Sequence, residues 1–600
     1  MSAQTQLITT AINHHQAGRL PEAERIYRQI LDSTSENPDA WHLLGVVQYQ
    51  KGAFGEAIEF IHRAISLQPH VAEYHTNLGT AYLDSGDFPE AAAAQRRALE
   101  LRPAFPVALN NLANALRKQR DFNAALGYAS EAVRLEPTLA DAHNNLGTIL
   151  KELGKLDDAV GHYREAIRLN PRSAETYNNL GIHYQEQRQF DEAIRCHHRT
   201  LEINPKFAEA HVNLGIIARK QKRYKDAITL FQRALECNPG KARTYNDLGH
   251  AQRESGQISS AVASFDRALQ LDSDCAEAHL NRAAMLLLTA DFERGWPEYE
   301  WRWKIGHNRP RNFTQPEWDG SPLDGRTILL HAEQGLGDTI QFVRYATLLK
   351  RQGCTVLLLC QKPLTRLLGR SNGVDQLIPI GDPLPPFDVH CPLLSLPRVV
   401  QTSLRNVPAD VPYVFADPQL VEKWGDRLND IEGVRIGIVW QGNPDYPDDH
   451  FCSFPLSQFG ALANLTGIRL ISLQKGFGTE QLNDLCGTFA VTELGDDFDE
   501  STGAFMDTAA VMKNLELVIS ADTSVAHVAG ALGVPVWIPL STVCDWRWLL
   551  DRKDSPWYPS VRLFRQQEQD DWEAVFDEIR IAVQREFLAP RAASGSGYAD

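Results

Sequence analysis

The 600-residue chain lacks the features that mark membrane, secreted and metal-stapled proteins. No apolar run approaches the roughly 20 residues that a membrane-spanning helix needs. The first residues, MSAQTQLITTAINHH, lack the basic start and apolar core of a signal peptide. The nine cysteines contain no C-x-x-C pair, which predicts neither a disulfide framework nor a zinc module. We therefore expect a soluble, cytoplasmic chain without a transmembrane segment.

The chain also has fewer positive than negative residues, with 60 Lys and Arg against 76 Asp and Glu, which gives a net charge of −16. This balance argues against general binding to nucleic-acid phosphates and gives no attraction to an anionic membrane. Any phosphate bound here must lie in a local pocket that overcomes the repulsive field of the whole chain. The length predicts more than one hydrophobic core.

The first half of the chain repeats every 34 residues. The period is clearest in a series of prolines: Pro69, Pro103, Pro137, Pro171, Pro205 and Pro239. Leu-Gly pairs and alanines recur in the same register, as at Leu78-Gly79 and Ala91. Each unit is expected to be a helix pair in which small residues permit close packing and proline follows the second helix. The pattern resembles the tetratricopeptide repeat, in about eight copies over residues 6–290, and predicts an α-solenoid with a concave groove.

An asparagine row runs through these repeats, usually just before the Leu-Gly pair. Its members are Asn77, Asn111, Asn145, Asn179, Asn213 and Asn281. Asn costs roughly 0.5 kcal/mol in a helix interior relative to good helix formers, so packing alone does not explain the choice. A carboxamide donates and accepts, so the row is a candidate for holding the backbone of a protein or peptide ligand. Alternatively, it was copied when the repeats duplicated, or each Asn bonds to the neighbouring repeat.

From residue 327 the pattern changes to short apolar runs that alternate with amphipathic stretches. One series starts with TILLHA and a helix from about 338 to 351, and a second starts with VRIGIVWQGN at 434–443 and closes with a helix near 571–587. Alternation of this kind indicates parallel sheets with crossover helices. Two series therefore predict two Rossmann-like lobes with a ligand cleft between them.

The predicted domain order follows from these changes of pattern. The repeats end near residue 290, where an aromatic stretch, DFERGWPEYEWRW, replaces the period. The predicted domains are the repeat superhelix at 6–290, a capping segment and connector at 291–325, an N-terminal lobe at 326–425, a C-terminal lobe at 430–588 and a disordered tail at 589–600.

Two strand-to-helix turns carry the candidate site residues. In the first, EQGLGD, Gln334, Gly335 and Gly337 lead to Asp338. The turn is not a dinucleotide fingerprint, because Ile340 stands at the third glycine position, and no Gly-Lys-Ser/Thr follows as in a P-loop. Asp338 alone would serve as a helix N-cap. That task does not require glycines, whose use suggests that a ligand approaches the backbone closely. Spacing leaves both interpretations open.

The second turn, ISADTSVAHVAGALG, combines a strand end with a helix start. Asp522 ends the strand, Thr523 and Ser524 begin the helix, and His527 lies one turn later on the same face. Free N–H groups, hydroxyls and the positive end of the helix dipole make this a site for a diphosphate. The alternative is a capped helix that carries a packed histidine.

At these blocks the second half resembles the bacterial lipopolysaccharide heptosyltransferase family, glycosyltransferase family nine, and most closely its tetratricopeptide-fused relatives. The matching blocks within 291–590 include YEWRW, AEQGLGDTIQFVRYA, FDVHCPLLSLP, GIVWQGNP and ADTSVAHVAGALGVPVWIPL. The resemblance implies a two-lobed GT-B fold and sugar transfer from a nucleotide-sugar donor, with inversion and without a metal or other cofactor. The repeat half is similar to that of the O-linked N-acetylglucosamine transferases in its layout and asparagine row.

The resemblance also implies roles for the residues of both turns. Asp338 matches the general base on the acceptor hydroxyl, while Gln334, Gly335 and Gly337 shape the first turn around the donor site. Asp522, Thr523, Ser524 and His527 match the donor-binding motif.

One departure from the family puts activity in doubt. Relatives carry a basic residue where this chain has Cys452. A fixed cation there stabilises the leaving group, so either Lys475 or Arg547 compensates or the domain is catalytically weak. The alternatives to a transferase with a protein acceptor are a scaffold with a degenerate domain and a transferase with a glycan or lipid-linked acceptor.

Overall fold

The computed structural model describes residues 3–306, 310–485, 487–501 and 503–589, so the predicted tail lies almost wholly outside the described residues. The chain divides into two compact units, Met1–Pro239 and Gly240–Asp600. The second unit contains the last repeat helices together with the α/β region.

Consecutive helices of the first unit pack in pairs. They are α1 (Ala3–Gln16), α2 (Leu20–Ser33), α3 (Pro38–Gln50), α4 (Phe54–Leu67), α5 (Ala72–Ser85), α6 (Phe88–Leu101), α7 (Pro106–Lys118), α8 (Phe122–Leu135), α9 (Ala140–Glu152), α10 (Leu156–Leu169), α11 (Ala174–Glu186), α12 (Phe190–Ile203), α13 (Ala208–Lys220) and α14 (Tyr224–Cys237). From α4 onward, the second helix of each pair ends two residues before the recurring proline, which has no N–H for the helix and stands in the turn.

The recurring glycine lies where the two helices of a pair meet. A Cβ on Gly79 would lie 2.4 Å from Gln95 Nε2, and one on Gly215 would lie 2.8 Å from a ring carbon of Phe231. The side chain of the second helix thus occupies the space that the glycine leaves. The prediction that small residues allow close helix packing is confirmed.

Four more repeat-type helices open the second unit. They are α15 (Ala242–Glu254), α16 (Ile258–Leu271), α17 (Ala276–Leu288) and α18 (Phe292–Tyr299), and a 3-10 turn follows at Glu300–Lys304. Trp296 of α18 is 2% exposed, and its ring centroid lies 5.3 Å from that of Trp546. Its indole N–H donates to the Thr402 carbonyl at 3.2 Å. The aromatic segment is therefore part of the core that joins α17 to the α/β region.

The first sheet is parallel and has the order β3-β2-β1-β4. Its strands are β1 (Thr327–His331), β2 (Thr355–Cys360), β3 (Gln376–Pro379) and β4 (Val389–Pro392). The helices of this region are α19 (Leu336–Phe342), α20 (Tyr345–Lys350), α21 (Thr365–Leu368), α22 (Leu396–Val399) and α23 (Pro418–Leu428).

The predicted single helix over 338–351 is instead two short helices, α19 and α20. The Arg344 guanidinium donates to the Gln341 carbonyl at 2.7 Å, an oxygen that a continuous α-helix would give to a backbone N–H. Nearby, Ala346 N–H donates to the Val343 carbonyl only three residues back, at 2.9 Å. The Arg344 side chain thus takes a carbonyl oxygen that a continuous helix would use, and the helix is interrupted between α19 and α20.

The second sheet is also parallel, with the order β6-β5-β7-β8-β9. Its strands are β5 (Val434–Val439), β6 (Ile468–Ser472), β7 (Leu517–Ser520), β8 (Val536–Leu540) and β9 (Val561–Arg565). The helices are α24 (Asp449–Cys452), α25 (Gly460–Ala463), α26 (Gln481–Asp484), α27 (Met506–Met512), α28 (Ser524–Ala531) and α29 (Trp572–Val583), which a π-turn extends over Gln584–Leu588. The sequence pattern missed β9, but the predicted alternation of strands and helices is confirmed.

Both sheets change winding direction next to the turns of interest. In the first sheet, β2 and β3 lie on one side of β1, and the chain then returns to add β4 on the other side of β1. In the second sheet, β6 lies on one side of β5, and β7, β8 and β9 follow on the other side. Parallel sheets bind ligands beyond the carboxyl ends of their strands at such points. Within the described residues, no helix combines the length and apolar character needed to cross a bilayer.

Candidate functional site

A cavity of about 520 Å³ in the second unit brings both predicted turns together. Asp338 follows β1, and Asp522 and His527 follow β7, yet all three line this one cavity. Gln334, Gly335, Gly337, Thr523 and Ser524 line it as well. The turns after β5 and β8 and the helices α15 and α17 complete its walls.

The Asp338 carboxylate lines the cavity and is held by two contacts. One oxygen accepts the Gly335 N–H at 2.8 Å, and the other pairs with the Arg547 guanidinium. The helix begins at Leu336 with Gly335 as its N-cap, so the interpretation of Asp338 as the N-cap residue is wrong. Asp338 instead bonds back from the third helical position, as the acidic residue of a capping box does.

Burial raises the pKa of the Asp338 carboxyl, and the Arg547 guanidinium opposes that rise. Arg547 also pairs with Asp545 at 2.8 Å and donates to Gln341 Oε1 at 2.7 Å. One guanidinium therefore holds two carboxylates. A carboxylate with a raised pKa accepts a proton more readily once a ligand draws the cation away.

Gly337 is needed for a contact within the protein. A Cβ there would lie 2.9 Å from His527 Cδ2 and 3.5 Å from Ser524 Cα, so the two turns meet at this glycine. Our sequence-based reason for the glycine, close approach of a ligand to the backbone, is therefore corrected at this position. Gln334 has a neighbouring role, since its Oε1 accepts a hydrogen bond from the Tyr299 hydroxyl at 3.3 Å.

The second turn is capped by Thr523, whose Oγ1 accepts the Val525 N–H at 3.4 Å. His527 lies one turn into α28, 5% exposed, with Nδ1 2.9 Å from the Tyr558 hydroxyl. Its ring stacks on Trp548 with centroids 5.5 Å apart. Burial lowers the pKa of His527 well below its usual value, so the imidazole is neutral. It can bind a phosphate or sugar oxygen only through a neutral hydrogen bond.

Several carboxylates line the cavity. Burial and the nearby Asp545 raise the pKa of Asp522 to about 7. Cys452 lines the same wall, and burial beside Asp522 raises the pKa of its thiol well above the usual value. Lys475 pairs with Glu500 at 2.6 Å and does not belong to the lining. Of the two candidates to replace the missing cation, Arg547 alone lies in the cavity.

Several lining residues carried no signal in the sequence. Arg253, Tyr446, Asp448 and Asp545 were not predicted, yet all line the cavity. Arg253 belongs to repeat helix α15, where a basic residue near a helix end is unremarkable. Its place in the site depends on a partner 195 positions away, Asp448, at 3.0 Å.

The tryptophans near the C-terminus pack mainly in the core. Trp548, Trp557 and Tyr558 are completely buried, while Trp546 is 6% exposed and lines the cavity. Core packing accounts for the first three.

The predicted asparagine row bonds between neighbouring repeats, one of the alternatives that the sequence left open. Asn145 donates to Asn110 Oδ1 at 2.8 Å, and Asn281 donates to Asn246 Oδ1 at 3.0 Å. The remaining members make a similar contact to the preceding repeat: Asn77 with His42, Asn111 with Thr80, Asn179 with Asn144 and Asn213 with Asn178. Of the six, Asn281 also lines the cavity.

Comparison with known proteins identifies the repeats. Sequence profiles described as the tetratricopeptide repeat match residues 36–104, 172–237 and 206–274, and further profiles of that repeat match 6–29, 107–135 and 147–188. The N-terminal helices are tetratricopeptide repeats. Such repeats form a protein-interaction architecture with a concave binding surface.

One curated relative is similar over about half of the chain. Protein FlbA of Caulobacter vibrioides is 24% identical over an alignment of 346 residues, and the match covers 53% of this chain and 56% of that protein. The chain thus spans about half the length of this curated relative.

Two solved structures are also similar, both at 19% identity. The APC/C hetero-tetramer Cut9-Hcn1 has a TM-score of 0.40, with 47% of this chain and 55% of that chain covered. YrrB, described as a TPR protein with an unusual peptide-binding site, has a TM-score of 0.25, with 33% of this chain and 97% of that chain covered.

Proposed function

We propose that the second unit is an inverting, metal-independent glycosyltransferase with a GT-B arrangement of its two sheets. It takes a sugar from a nucleotide-sugar donor, and the tetratricopeptide repeats recruit the acceptor, a protein or peptide. The observation that carries the proposal is that Asp338 and the Asp522–His527 turn line one cavity at the carboxyl ends of two parallel sheets. The family resemblance of both turns adds the reaction class.

The donor diphosphate binds at the start of α28. The Ser524 and Thr523 hydroxyls and the positive end of the helix dipole lie there, a combination worth up to about 2 kcal/mol when partly buried. The neutral His527 holds a sugar or phosphate oxygen. Arg547 neutralises the charge that develops on the leaving diphosphate, which is the task of the basic residue absent at Cys452.

The acceptor hydroxyl binds beside Asp338. As its oxygen attacks the anomeric carbon, the bond from that carbon to the diphosphate breaks, and Asp338 takes the hydroxyl proton. Arg547 pairs with Asp338, so donor binding frees the base when the guanidinium turns to the phosphates. Inversion follows because the attack comes from the side opposite the leaving group.

A panel of nucleoside diphosphates and their sugars, read by thermal unfolding, tests donor binding. The matching donor should raise the melting temperature by about 2–4 °C near saturation. His527→Ala should lose that rise because the variant lacks the donor-facing imidazole. His211→Ala is the matched control, since His211 is 8% exposed and its Nε2 donates to the Pro205 carbonyl at 3.2 Å, within the repeats.

The control should melt lower without ligand but keep its response to the donor. If the wild-type protein responds to no compound, the donor site is wrong and a scaffold with a degenerate domain becomes the better account. The neutral Cys452 at the position of the family's basic residue is the observation that favours that second function.

Donor affinity should fall as the pH rises through about 7. Below that value the Asp522 carboxyl is protonated and neutral, whereas above it a negative charge faces the donor diphosphate. Like charges a few ångströms apart repel by about 1–4 kcal/mol, so we expect roughly tenfold weaker binding at high pH. Titration calorimetry with the intact nucleotide sugar measures this effect.

Asp522→Asn should bind with an affinity that is nearly flat across the same pH range. Asp448→Asn, which changes another lining carboxylate, should keep the wild-type pH dependence. A pH dependence that survives in Asp522→Asn contradicts the assignment.

A further inference from the structure

We infer that the acceptor subsite of the cavity is built by repeat helices α15 and α17, and that it admits a hydroxyl-bearing polypeptide segment that is uncharged or cationic. This inference rests on the proposed function and adds where the acceptor binds and what charge it carries. All residues of this subsite lie within the second unit.

The two helices supply one wall of the cavity. Arg253 of α15 and Leu280, Asn281, Ala284 and Met285 of α17 line it together with the Asp338 turn. The donor-binding turn and the proposed base come from the α/β region, whereas this wall comes from the repeats. The repeat helices are thus placed to contact the group that receives the sugar.

An ion pair fixes the wall to the α/β region. Arg253 Nη2 lies 3.0 Å from Asp448 Oδ2, and the Arg253 side chain is 13% exposed. Asp448 follows Tyr446, which is 52% exposed and lines the same cavity. The pair therefore holds the turn after β5 against α15 and keeps the wall at a set distance from the donor-binding turn.

The chemistry of the wall suits a peptide backbone. The Asn281 N–H₂ donates to Asn246, while its carbonyl oxygen is still able to accept an N–H from a ligand. Leu280 and Ala284 stand beside it and offer apolar contact to Cα and Cβ atoms. One acceptor flanked by apolar groups matches an amide N–H and its side chain better than it matches a ring of sugar hydroxyls.

Charge then selects among polypeptides. Among the described lining residues, Asp338, Asp448, Asp522 and Asp545 outnumber Arg253 and Arg547. A bound donor adds the negative charge of its diphosphate. A carboxylated or phosphorylated acceptor would therefore be repelled, and a segment with lysine or arginine beside its serine or threonine would be attracted.

Short capped peptides test the inference, with the donor that the thermal panel identifies. Three peptides carry one central Ser-Thr pair flanked by Lys, by Ala or by Glu, and maltose serves as a neutral glycan probe. Mass spectrometry measures transfer, and release of nucleoside diphosphate without acceptor measures donor turnover to water. The Lys and Ala peptides should be glycosylated, with kcat/KM at least tenfold above that of the Glu peptide at low salt.

The matched variants are Asn281→Ala and Asn145→Ala. Both remove a carboxamide that donates to the preceding repeat, at 3.0 Å and 2.8 Å, but only Asn281 lines the cavity. Asn281→Ala should raise KM for the short peptides about fivefold, the effect of one hydrogen bond. Asn145→Ala should leave that KM unchanged.

Equal effects of the two variants, equal use of the Glu peptide, or transfer to maltose in preference to peptides would each overturn the inference. In the first two cases donor turnover by the wild-type protein persists and a peptide still receives the sugar, so the proposed function stands. Transfer to maltose in preference to peptides leaves the glycosyltransferase activity in place but replaces the proposed peptide acceptor with a glycan. Absence of donor binding and turnover in the wild-type protein would instead refute the proposed function, and this inference with it.

Discussion

Asp338→Asn should lower the rate of sugar transfer by about 100- to 10,000-fold, the usual contribution of a general base, while donor affinity changes little. The amide cannot take the acceptor proton. Its oxygen can still accept the Gly335 N–H, which the carboxylate now binds at 2.8 Å, so the turn should keep its shape. Single-turnover transfer assays and calorimetry with the donor measure the two quantities.

Asp545→Asn is the control for the ion pair. Asp545 shares the Arg547 guanidinium with Asp338, so its loss changes the same cation without removing the base. We expect a transfer rate within about tenfold of the wild-type rate for this control. If Asp545→Asn and Asp338→Asn lose activity equally, Asp338 acts by holding Arg547 and is not the base.

Arg344→Ala should lower the free energy of unfolding of the second unit by about 3–5 kcal/mol, because several buried hydrogen bonds from a charged group are lost together and each contributes roughly 1.5–3 kcal/mol. Arg344 is 2% exposed. Its guanidinium donates to the Pro408 carbonyl at 3.1 Å, the Trp557 carbonyl at 2.5 Å and the Tyr413 hydroxyl at 2.9 Å.

Pro408 and Tyr413 lie in the segment that follows β4, and Trp557 lies just before β9 of the second sheet. The Arg344 side chain therefore links the regions of the two sheets. Truncation leaves buried oxygens without donors and opens a gap beneath the Tyr413 and Tyr558 rings, which now lie within 4.7 Å and 4.3 Å of the guanidinium carbon. Urea unfolding followed by tryptophan fluorescence measures the change.

Arg351→Ala is the matched control. Arg351 is 63% exposed and pairs with Asp410, itself 88% exposed, at 3.3 Å. Exposed pairs of this kind contribute little, so the control should stay within about 0.5 kcal/mol of the wild-type protein. Equal loss in both variants would show that the buried network of Arg344 does not stabilise the fold.

The helix pairs and the parallel sheets could be predicted because their signals are local. A 34-residue period places each glycine against a residue sixteen positions later, as Gly215 lies against Phe231. Strand and helix alternation likewise follows from hydrophobic runs only a few residues long. The prediction of one continuous helix over 338–351 was wrong because the Arg344 guanidinium binds the Gln341 carbonyl and divides that helix into two.

The two turns of the candidate site could be predicted from the sequence, but the contacts that other parts of the chain make with them could not. Asp338 and His527 are marked by the glycines and hydroxyls beside them, which are neighbours in sequence. Arg547 reaches Asp338 across 209 positions, and Arg253 reaches Asp448 across 195. Neither arginine has a sequence neighbour that reveals its partner.

By itself the sequence determined the repeat period, the two series of parallel strands and the turns that carry the candidate groups, because hydrogen bonding and hydrophobic periodicity act over one helix turn or one strand. Only the tertiary structure decided that Gly337 faces His527, that one guanidinium holds two carboxylates, and that Asn281 joins the cavity while Asn145 does not. These outcomes depend on how distant elements pack, and the distances between such elements are not encoded in any short stretch of the chain.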